Sequence, residues 1–188
     1  MSRWEPDARG RLQMAAMELY VERGFEQTTV AEIAERAGLT ERTFFRHFPD
    51  KREVLFFGQD ELRETFVSAV ATAPADAAPL EAVAAALHAV AINFEPRRPW
   101  SQQRQSVINT NPGLHERELI KLAGLSSAIA ATLRERGVTE PAASLAADSG
   151  ISVFQIAFQR WIAADNTQQF AQITTEALAA LKIVTAGG

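Results

Sequence analysis

The stretch TTVAEIAERAGLTERTFFRHFPDKREVLF, residues 28–56, decides the fold of this 188-residue chain. Thr29 and Glu32 have the spacing of a capping box, in which each residue caps the other at the start of a helix. The apolar positions that follow repeat with helical period up to Gly38, where a tight turn can take a positive φ. The pattern predicts a short helix that ends at a turn.

A second short helix follows this turn. Thr40 can cap it, and Pro49 stops it after Glu41–His47. Phe44 and Phe48 are expected to face inward on one side of that helix. Two short helices joined by a glycine-containing turn predict a helix-turn-helix.

The rest of the chain also has helical patterning. Apolar residues repeat at helical spacing from Arg11 to Arg23, which predicts a first helix. Asp50 and Glu53 repeat the capping-box spacing and predict a fourth helix, a connector over about residues 50–71. Five more helices are expected, at about residues 80–94, 98–108, 112–136, 141–164 and 167–186. The expected fold class is therefore all-α, with a helix-turn-helix domain over residues 1–57 and a larger helical domain over residues 72–188.

Composition excludes several classes of protein and site. The hydrophobic share of 47% and the charged share of 22% are those of a globular protein. The absence of cysteine excludes disulfides and thiolate metal sites. Three histidines lie far apart without carboxylates at ligand spacing, and no catalytic motif can be singled out. We therefore expect no enzyme, no metal site and no cofactor.

Targeting and bulk-charge signals are also weak. The apolar stretch over residues 82–92 is far shorter than the roughly 20 residues of a membrane span. The first residues carry charges of both signs and no apolar signal-peptide core, so a cytoplasmic location is expected. A net charge of −4 argues against a protein that coats nucleic acid by bulk charge. Any contact with DNA must be local.

The segment around the second short helix is locally basic. Arg36, Arg42, Arg46, Lys51 and Arg52 outnumber its acidic residues. Once Phe44 and Phe48 face inward, Phe45 is left outside beside arginine and threonine, where it can pack on a thymine methyl while arginine bonds guanine or phosphate. Spacing alone equally allows Phe45 to pack on a neighbouring helix and the charges to form a solvated face.

Residues 28–56, together with RLQMAAMELYVERGFEQTT at residues 11–29, closely resemble the N-terminal signature of the tetracycline-repressor (TetR) family. The RTFFRHF sequence at residues 42–48 resembles a subgroup common among actinobacterial regulators. The resemblance implies a ligand-responsive repressor that binds palindromic double-stranded DNA as a homodimer. The implied DNA contacts are Thr29, Thr40, Glu41, Arg42, Thr43, Phe45, Arg46, His47 and Lys51, with Lys51 on a phosphate.

Two positions depart from the common family pattern. Phe45 stands where a tyrosine is usual, which removes a hydroxyl donor to phosphate. Glu41 is acidic at the start of the helix and can accept a hydrogen bond from the N4 amine of cytosine. The operator therefore need not resemble that of a relative.

The last two long helices are expected to form the dimer interface, because the helix over residues 141–164 is apolar around most of its circumference and needs cover beyond its own core. The residues expected there are Phe154, Phe158, Trp161, Phe170, Ile173, Ala177 and Leu181. A monomeric bundle core is the alternative. The residues expected to line an effector pocket are His88, Asn93, Phe94, Trp100, Gln103, Gln155 and Gln159.

Two other functions stay open at this point. The chain can be a small-molecule-binding all-α protein with a vestigial helix-turn-helix, which would lack salt-sensitive DNA affinity. It can also be a protein–protein adaptor that docks through the helix-turn-helix.

Overall fold

The computed structural model describes residues 8–186, which consist of helices joined by turns and contain no strand. The expectation of an all-α fold is confirmed. A 3₁₀ turn at Glu95–Arg97 precedes the sixth helix. The helices are α1 Ala8–Arg23, α2 Val30–Arg36, α3 Glu41–His47, α4 Gln59–Thr72, α5 Pro79–Phe94, α6 Arg98–Asn109, α7 Pro112–Glu135, α8 Ala142–Ile162 and α9 Phe170–Ala186.

The chain forms two compact units. The N-terminal unit comprises the residues up to Phe57 together with Gln103–Glu118, and the C-terminal unit comprises Gly58–Gln102 together with the residues from Leu119 onward. The division by sequence into domains 1–57 and 72–188 stays a prediction. The compact units differ from it in grouping Gln103–Glu118 with the N-terminal helices.

The core of the N-terminal unit is built from the inner faces of α1, α2 and α3. Leu12 and Leu19 of α1, Ile33 of α2 and Phe44 of α3 are fully buried. Burial of each large apolar side chain contributes roughly 1.5–3 kcal/mol to the free energy of folding. Helices as short as α2 and α3 are not stable alone, so this burial against α1 is what holds them in place.

The predicted start of the fourth helix at Asp50 is wrong. Oδ1 of Asp50 accepts hydrogen bonds from the backbone N–H groups of Arg52 and Glu53, at 2.8 and 3.1 Å, as a capping residue does. The chain nevertheless continues as turns, and α4 begins at Gln59 after Gly58, whose φ is +95°. A left-handed residue cannot continue an α-helix, so Gly58 separates the turn from α4.

The core of the C-terminal unit is an apolar cluster from α4, α5, α7, α8 and α9. Its centre is aromatic: Trp161 stacks on Phe170 with ring centroids 4.7 Å apart, and both are fully buried. Phe94, Phe154 and Phe158 surround this pair, and Phe66 packs on Phe154. Among residues 8–186 no helix is long and apolar enough to cross a membrane.

This core contains the residues predicted to form the dimer interface. Six of the seven residues assigned to it are buried within their own chain, and the seventh is half-buried against the same cluster. They therefore pack mainly in the core of their own chain, and their assignment to a dimer interface stays a prediction. The residues concerned are Phe154, Phe158, Trp161, Phe170, Ile173 and Ala177, with Leu181 as the half-buried member.

Candidate nucleic-acid interface

The turn that positions α3 is held by its two caps. The Oγ1 of Thr29 accepts a hydrogen bond from the N–H of Glu32 at 3.2 Å, and the Thr29 N–H donates to Oε2 of Glu32 at 2.8 Å, so the capping box at α2 is present. The Oγ1 of Thr40 accepts from the N–H of Thr43 at 3.2 Å and caps α3. Gly38 takes a φ of +64° between the two helices. The sequence thus fixes both helix starts and the turn by local contacts.

The helix α3 has one buried face and one exposed face. Phe44 and Phe48 are buried, with exposures of 0% and 2% and ring centroids 5.6 Å apart. Phe45 is 54% exposed, and its ring meets the Phe44 ring edge-on, with ring centroids 5.4 Å apart. The two buried rings anchor α3, and the third ring stays available to a partner molecule.

Two arginines flank the exposed ring. Arg42, Phe45 and Arg46 stand at i, i+3 and i+4, so they share one face of α3. Both arginines are exposed, and neither has a hydrogen-bond or ion-pair partner within residues 8–186. We call these three residues the α3 face. Thr40 and Glu41 are exposed at its start.

Thr43 and His47 are half-buried on the flanks of α3. The Nε2 atom of His47 is covered by protein and has no hydrogen-bond partner among the described residues. These two positions therefore present less polar surface to a partner than the α3 face does.

The other arginines of the basic segment form ion pairs with carboxylates of the same chain. Arg36 pairs with Glu18 and Glu22 of α1, with N–O distances of 3.3 and 3.0 Å. Arg52 pairs with Asp50 at 2.9 Å. The hydrogen bond from Arg36 lowers the pKa of Glu22 below its usual value. Of the arginines in this basic segment, Arg42 and Arg46 are therefore the two whose charges are not paired among residues 8–186.

Lys51 differs from the role that the family resemblance implies. Its ammonium donates to the carbonyl oxygens of Phe25, Glu26 and Thr28, at 2.8, 3.3 and 2.9 Å, and lies 4.4 Å from the centroid of the Phe25 ring. An ammonium has three N–H donors, so none is left for a phosphate in this arrangement. Lys51 holds the loop between α1 and α2, and it is not part of the α3 face.

Tyr20 holds the backbone of Lys51 in place. Its hydroxyl donates to the carbonyl oxygen of Lys51 at 2.6 Å. Burial raises the pKa of Tyr20, with a further contribution from the negative charge of Asp50, so the phenol stays a hydrogen-bond donor at neutral pH.

The N-terminal unit also contains polar pairs that the sequence analysis did not predict. Arg104 pairs with Glu118 at 2.8 Å, with side-chain exposures of only 15% and 13%. Arg117 pairs with Glu53 at 2.5 Å. The Nδ2 of Asn111 donates to Oε1 of Glu26, 85 positions away in the chain, at 2.8 Å. No local signal reveals pairs so distant in sequence, because they depend on how the helices pack.

Two of the seven residues predicted to line an effector pocket lie at a crevice of the C-terminal unit, and the pocket assignment stays a prediction. The C-terminal unit has a crevice of about 10 Å³, lined by Gly58, Glu61, Leu62, Thr65, Val90, Asn93, Phe94 and Arg97. Asn93 and Phe94 are the predicted residues that line it. The other five lie elsewhere, namely His88, Trp100, Gln103, Gln155 and Gln159. Within residues 8–186 no group of three or more metal-ligating side chains is gathered.

An apolar stripe of α8 faces away from the core of the C-terminal unit. Leu145 and Ile156 are 62% and 58% exposed and lie close to one line on the helix, with Ser149 and Ser152 between them. On α9, Ile183 and Val184 are also exposed. Sequence periodicity identified α8 as apolar on two sides, and the structure shows which side its own chain leaves uncovered.

Two family models match the chain. The one described as bacterial regulatory proteins, tetR family, matches residues 14–56, and the one described as the MftR C-terminal domain matches residues 77–186. The first therefore contains the helix-turn-helix and α3, and the second contains α5 to α9.

Curated relatives match over part of the chain. The HTH-type transcriptional regulator TcmR of Streptomyces glaucescens is 42% identical over 82 residues, which is 44% of this chain and 36% of that protein. The HTH-type transcriptional activator FasR of Mycolicibacterium smegmatis is 40% identical over 48 residues, which is 26% of this chain and 22% of that protein. The chain thus spans about a third of the first of these relatives and about a fifth of the second.

Solved structures match over nearly the whole chain. The TetR-family repressor FadR of Thermus thermophilus, solved with lauroyl-CoA, is 26% identical, with 92% of each chain covered and a TM-score of 0.54. A TetR-family regulator from Syntrophomonas wolfei is 14% identical, with 96% of each chain covered and a TM-score of 0.69, which supports the fold alone.

Proposed function

Since this chain belongs to the TetR family of bacterial regulatory proteins, with a C-terminal domain of the MftR type, we propose that it is a transcription regulator that binds operator DNA through α3. The second helix of a helix-turn-helix enters the major groove, and here that helix is α3. The observation that carries the proposal is the α3 face. An exposed aromatic ring lies beside two exposed arginines that have no hydrogen-bond or ion-pair partner among residues 8–186.

The chemistry of the α3 face suits base recognition. Arginine forms bidentate hydrogen bonds with O6 and N7 of guanine or pairs with a phosphate, and a phenyl ring packs on a thymine methyl. Within residues 8–186 no carboxylate pairs with Arg42 or Arg46, so DNA need not displace one before the arginines bind its phosphates. Thr40 and Glu41 add contacts at the start of α3, with Thr29, Thr43 and His47 at its margin.

We propose that the protein binds a palindrome as a homodimer. Two recognition helices must lie roughly 34–36 Å apart to enter successive major grooves on one side of DNA. The exposed stripe of Leu145 and Ile156 on α8, with Ile183 and Val184 on α9, is the surface that we assign to the dimer contact. Ser149 and Ser152 are small enough for two copies of α8 to approach closely.

A small effector is proposed to release the protein from its operator, which makes the regulator a repressor. Release follows from linkage if the effector binds more tightly to a conformer that DNA disfavours. The effector is unidentified. Acyl-CoA compounds are the first to test, because the T. thermophilus FadR that resembles this chain over 92% of its length was solved with lauroyl-CoA.

The RTFFRHF sequence of α3 supports a narrower proposal, that the chain belongs to an actinobacterial type of TetR-family regulator. The relatives from S. glaucescens and M. smegmatis agree with this proposal. A cytoplasmic location is part of the same proposal, because the protein must meet the chromosome.

The test is selection of bound duplexes from a random DNA pool by the purified full chain. We expect enrichment of a palindrome whose affinity falls steeply with salt, followed by its release in the presence of an acyl-CoA or another effector. A lack of enrichment would favour the two alternatives, a small-molecule-binding protein with a vestigial helix-turn-helix or a protein–protein adaptor. The adaptor's complex would survive nuclease.

A further inference from the structure

The centre of the C-terminal unit holds a hydrogen-bond donor that is unpaired within the described part of the chain. Trp161 is fully buried, and its indole Nε1–H has no hydrogen-bond partner among the described residues. Aromatic rings surround it: Phe170 is stacked at 4.7 Å, Phe158 is at 5.9 Å and Phe94 at 6.4 Å between ring centroids. Buried donors are normally paired, so an unpaired one calls for an explanation in function or binding.

The backbone beside this indole is fully engaged. The carbonyl oxygen of Trp161 accepts a hydrogen bond from Nδ2 of Asn166 at 3.0 Å. Arg98 donates from Nη2 to the carbonyl oxygens of Ala163 and Asn166, at 2.9 and 2.7 Å. The end of α8 is therefore fixed by other groups, and its stability does not depend on the indole N–H.

Phe94 separates the indole from the surface. One side of its ring lies against Trp161, Phe154, Phe158 and Phe170, at centroid distances of 6.0–6.4 Å. The same residue lines the crevice between α4 and α5, which is also bounded by Leu62 and Val90. The crevice holds only about 10 Å³, which is enough for little more than a water molecule. This one half-buried ring therefore contacts both the crevice and the aromatic cluster.

We propose that the C-terminal unit binds a small, neutral, apolar compound with one carbonyl oxygen, which takes the place of the Phe94 ring and accepts a hydrogen bond from Nε1–H of Trp161. The inference deepens the proposed function, on which it rests, because it assigns an effector site, and it favours a small neutral carbonyl compound over an acyl-CoA as the effector. The surrounding rings supply the apolar contacts, and the indole supplies one donor. A carboxylate is disfavoured there, since the rings offer its charge no counter-ion, and a hydrocarbon leaves the donor unpaired.

The experiment uses purified full-length protein without DNA and a matched pair of probes, acetophenone and ethylbenzene, which differ in the carbonyl oxygen. The indole N–H resonances are followed by heteronuclear NMR during each titration, with the Trp161 signal assigned from W161F. We expect acetophenone to shift the Trp161 signal downfield, and ethylbenzene to leave it without a downfield shift. In F94A, where the ring is removed, acetophenone should bind about threefold to tenfold more tightly than ethylbenzene.

Two variants serve as controls. F94L opens less space and provides the same comparison if F94A does not fold. In F94A/W161F the preference for acetophenone should be lost or reversed, because its carbonyl oxygen is then buried without a donor. The proposal is overturned if acetophenone does not shift the Trp161 resonance of the wild-type protein, or if both probes shift it alike. It is also overturned if F94A/W161F still binds acetophenone more tightly than ethylbenzene. None of these outcomes depends on DNA, so failure of the site and failure of operator binding are distinguishable.

Discussion

Arg104 of α6 donates a hydrogen bond from its Nε to the backbone carbonyl oxygen of Leu55, at 2.7 Å. Leu55 lies in the run of turns that follows α3 in the chain. The Arg104 guanidinium also pairs with Glu118 and lies 5.2 Å from the centroid of the Phe56 ring. One side chain thus joins α6, α7 and the turn after the recognition helix within the N-terminal unit.

Replacing Arg104 by Met should destabilise the N-terminal unit, because it leaves Glu118 as a mostly buried charge without its partner. Loss of one member of such a pair costs about 3 kcal/mol of unfolding free energy. Denaturant unfolding measures the change. The double variant Arg104→Met/Glu118→Leu, which removes both charges, should recover part of the loss, and a double variant less stable than the single one would contradict the role given to the pair.

Replacing Phe45 by Ala should lower operator affinity about tenfold or more while the unfolding free energy changes by at most about 0.5 kcal/mol, since the ring is half-exposed. Replacing the adjacent Phe44 by Ala is the matched control. It should cost about 3–5 kcal/mol of stability, because that ring is fully buried. Anisotropy titrations with operator DNA and thermal unfolding give both quantities, and unchanged operator affinity in Phe45→Ala would remove this residue from the interface.

The capping box at α2 should make part of the stability depend on pH. The backbone N–H of Thr29 and then its hydroxyl, both hydrogen-bonded to the carboxylate, lower the pKa of Glu32 below the usual value of 4.5. A depressed carboxyl pKa stabilises the folded state above the unfolded pKa, and that contribution is lost as pH falls through the folded pKa.

Replacing Glu32 by Gln keeps an oxygen that caps the Thr29 N–H and removes the titration. We therefore expect the stability difference between the wild-type protein and Glu32→Gln to shrink as pH is lowered from 6 to below 4. Chemical unfolding at a series of pH values measures it. A difference that stays constant over this range would show that the carboxylate charge does not matter at the cap.

Replacing Ile156 by Arg should abolish the proposed dimer, because it places a charge in the middle of the exposed apolar stripe of α8. Sedimentation velocity should show a dimer for the wild-type protein and a monomer for this variant. Replacing Ile92 of α5, which is 68% exposed and lies on another helix, by Arg is the control and should leave the dimer intact. A dimeric Ile156→Arg protein would place the contact elsewhere.

The sequence predicts the helix-turn-helix well because its determinants are local. Thr29, Glu32 and Thr40 act within three residues of themselves, and Gly38 needs no partner to take its positive φ. Asp50 shows the limit of such signals. It makes the hydrogen bonds of a cap, yet the helix begins only after Gly58. This glycine lies inside the predicted helix, and its presence there is the sequence feature that argues against an earlier start.

Which residues serve a partner molecule is harder to predict from sequence. Periodicity shows that α8 is apolar on two sides, but only packing shows that Phe154 and Trp161 face their own core while Ile156 does not. Charge counts have the same weakness. Lys51 and Arg36 add to the basic segment in sequence, whereas their charges are bound to groups that lie far along the chain.

The central claim is that unpartnered charge on the α3 face reads DNA, and the most direct test compares two double variants that lose the same charge. Arg42→Ala/Arg46→Ala removes the two unpartnered arginines, and Arg23→Ala/Arg52→Ala removes two that already pair with Glu32 and Asp50. Affinity for the selected operator, measured at several salt concentrations, should fall at least about 30-fold for the first variant and only a few-fold for the second. Equal losses in the two variants would contradict the claim.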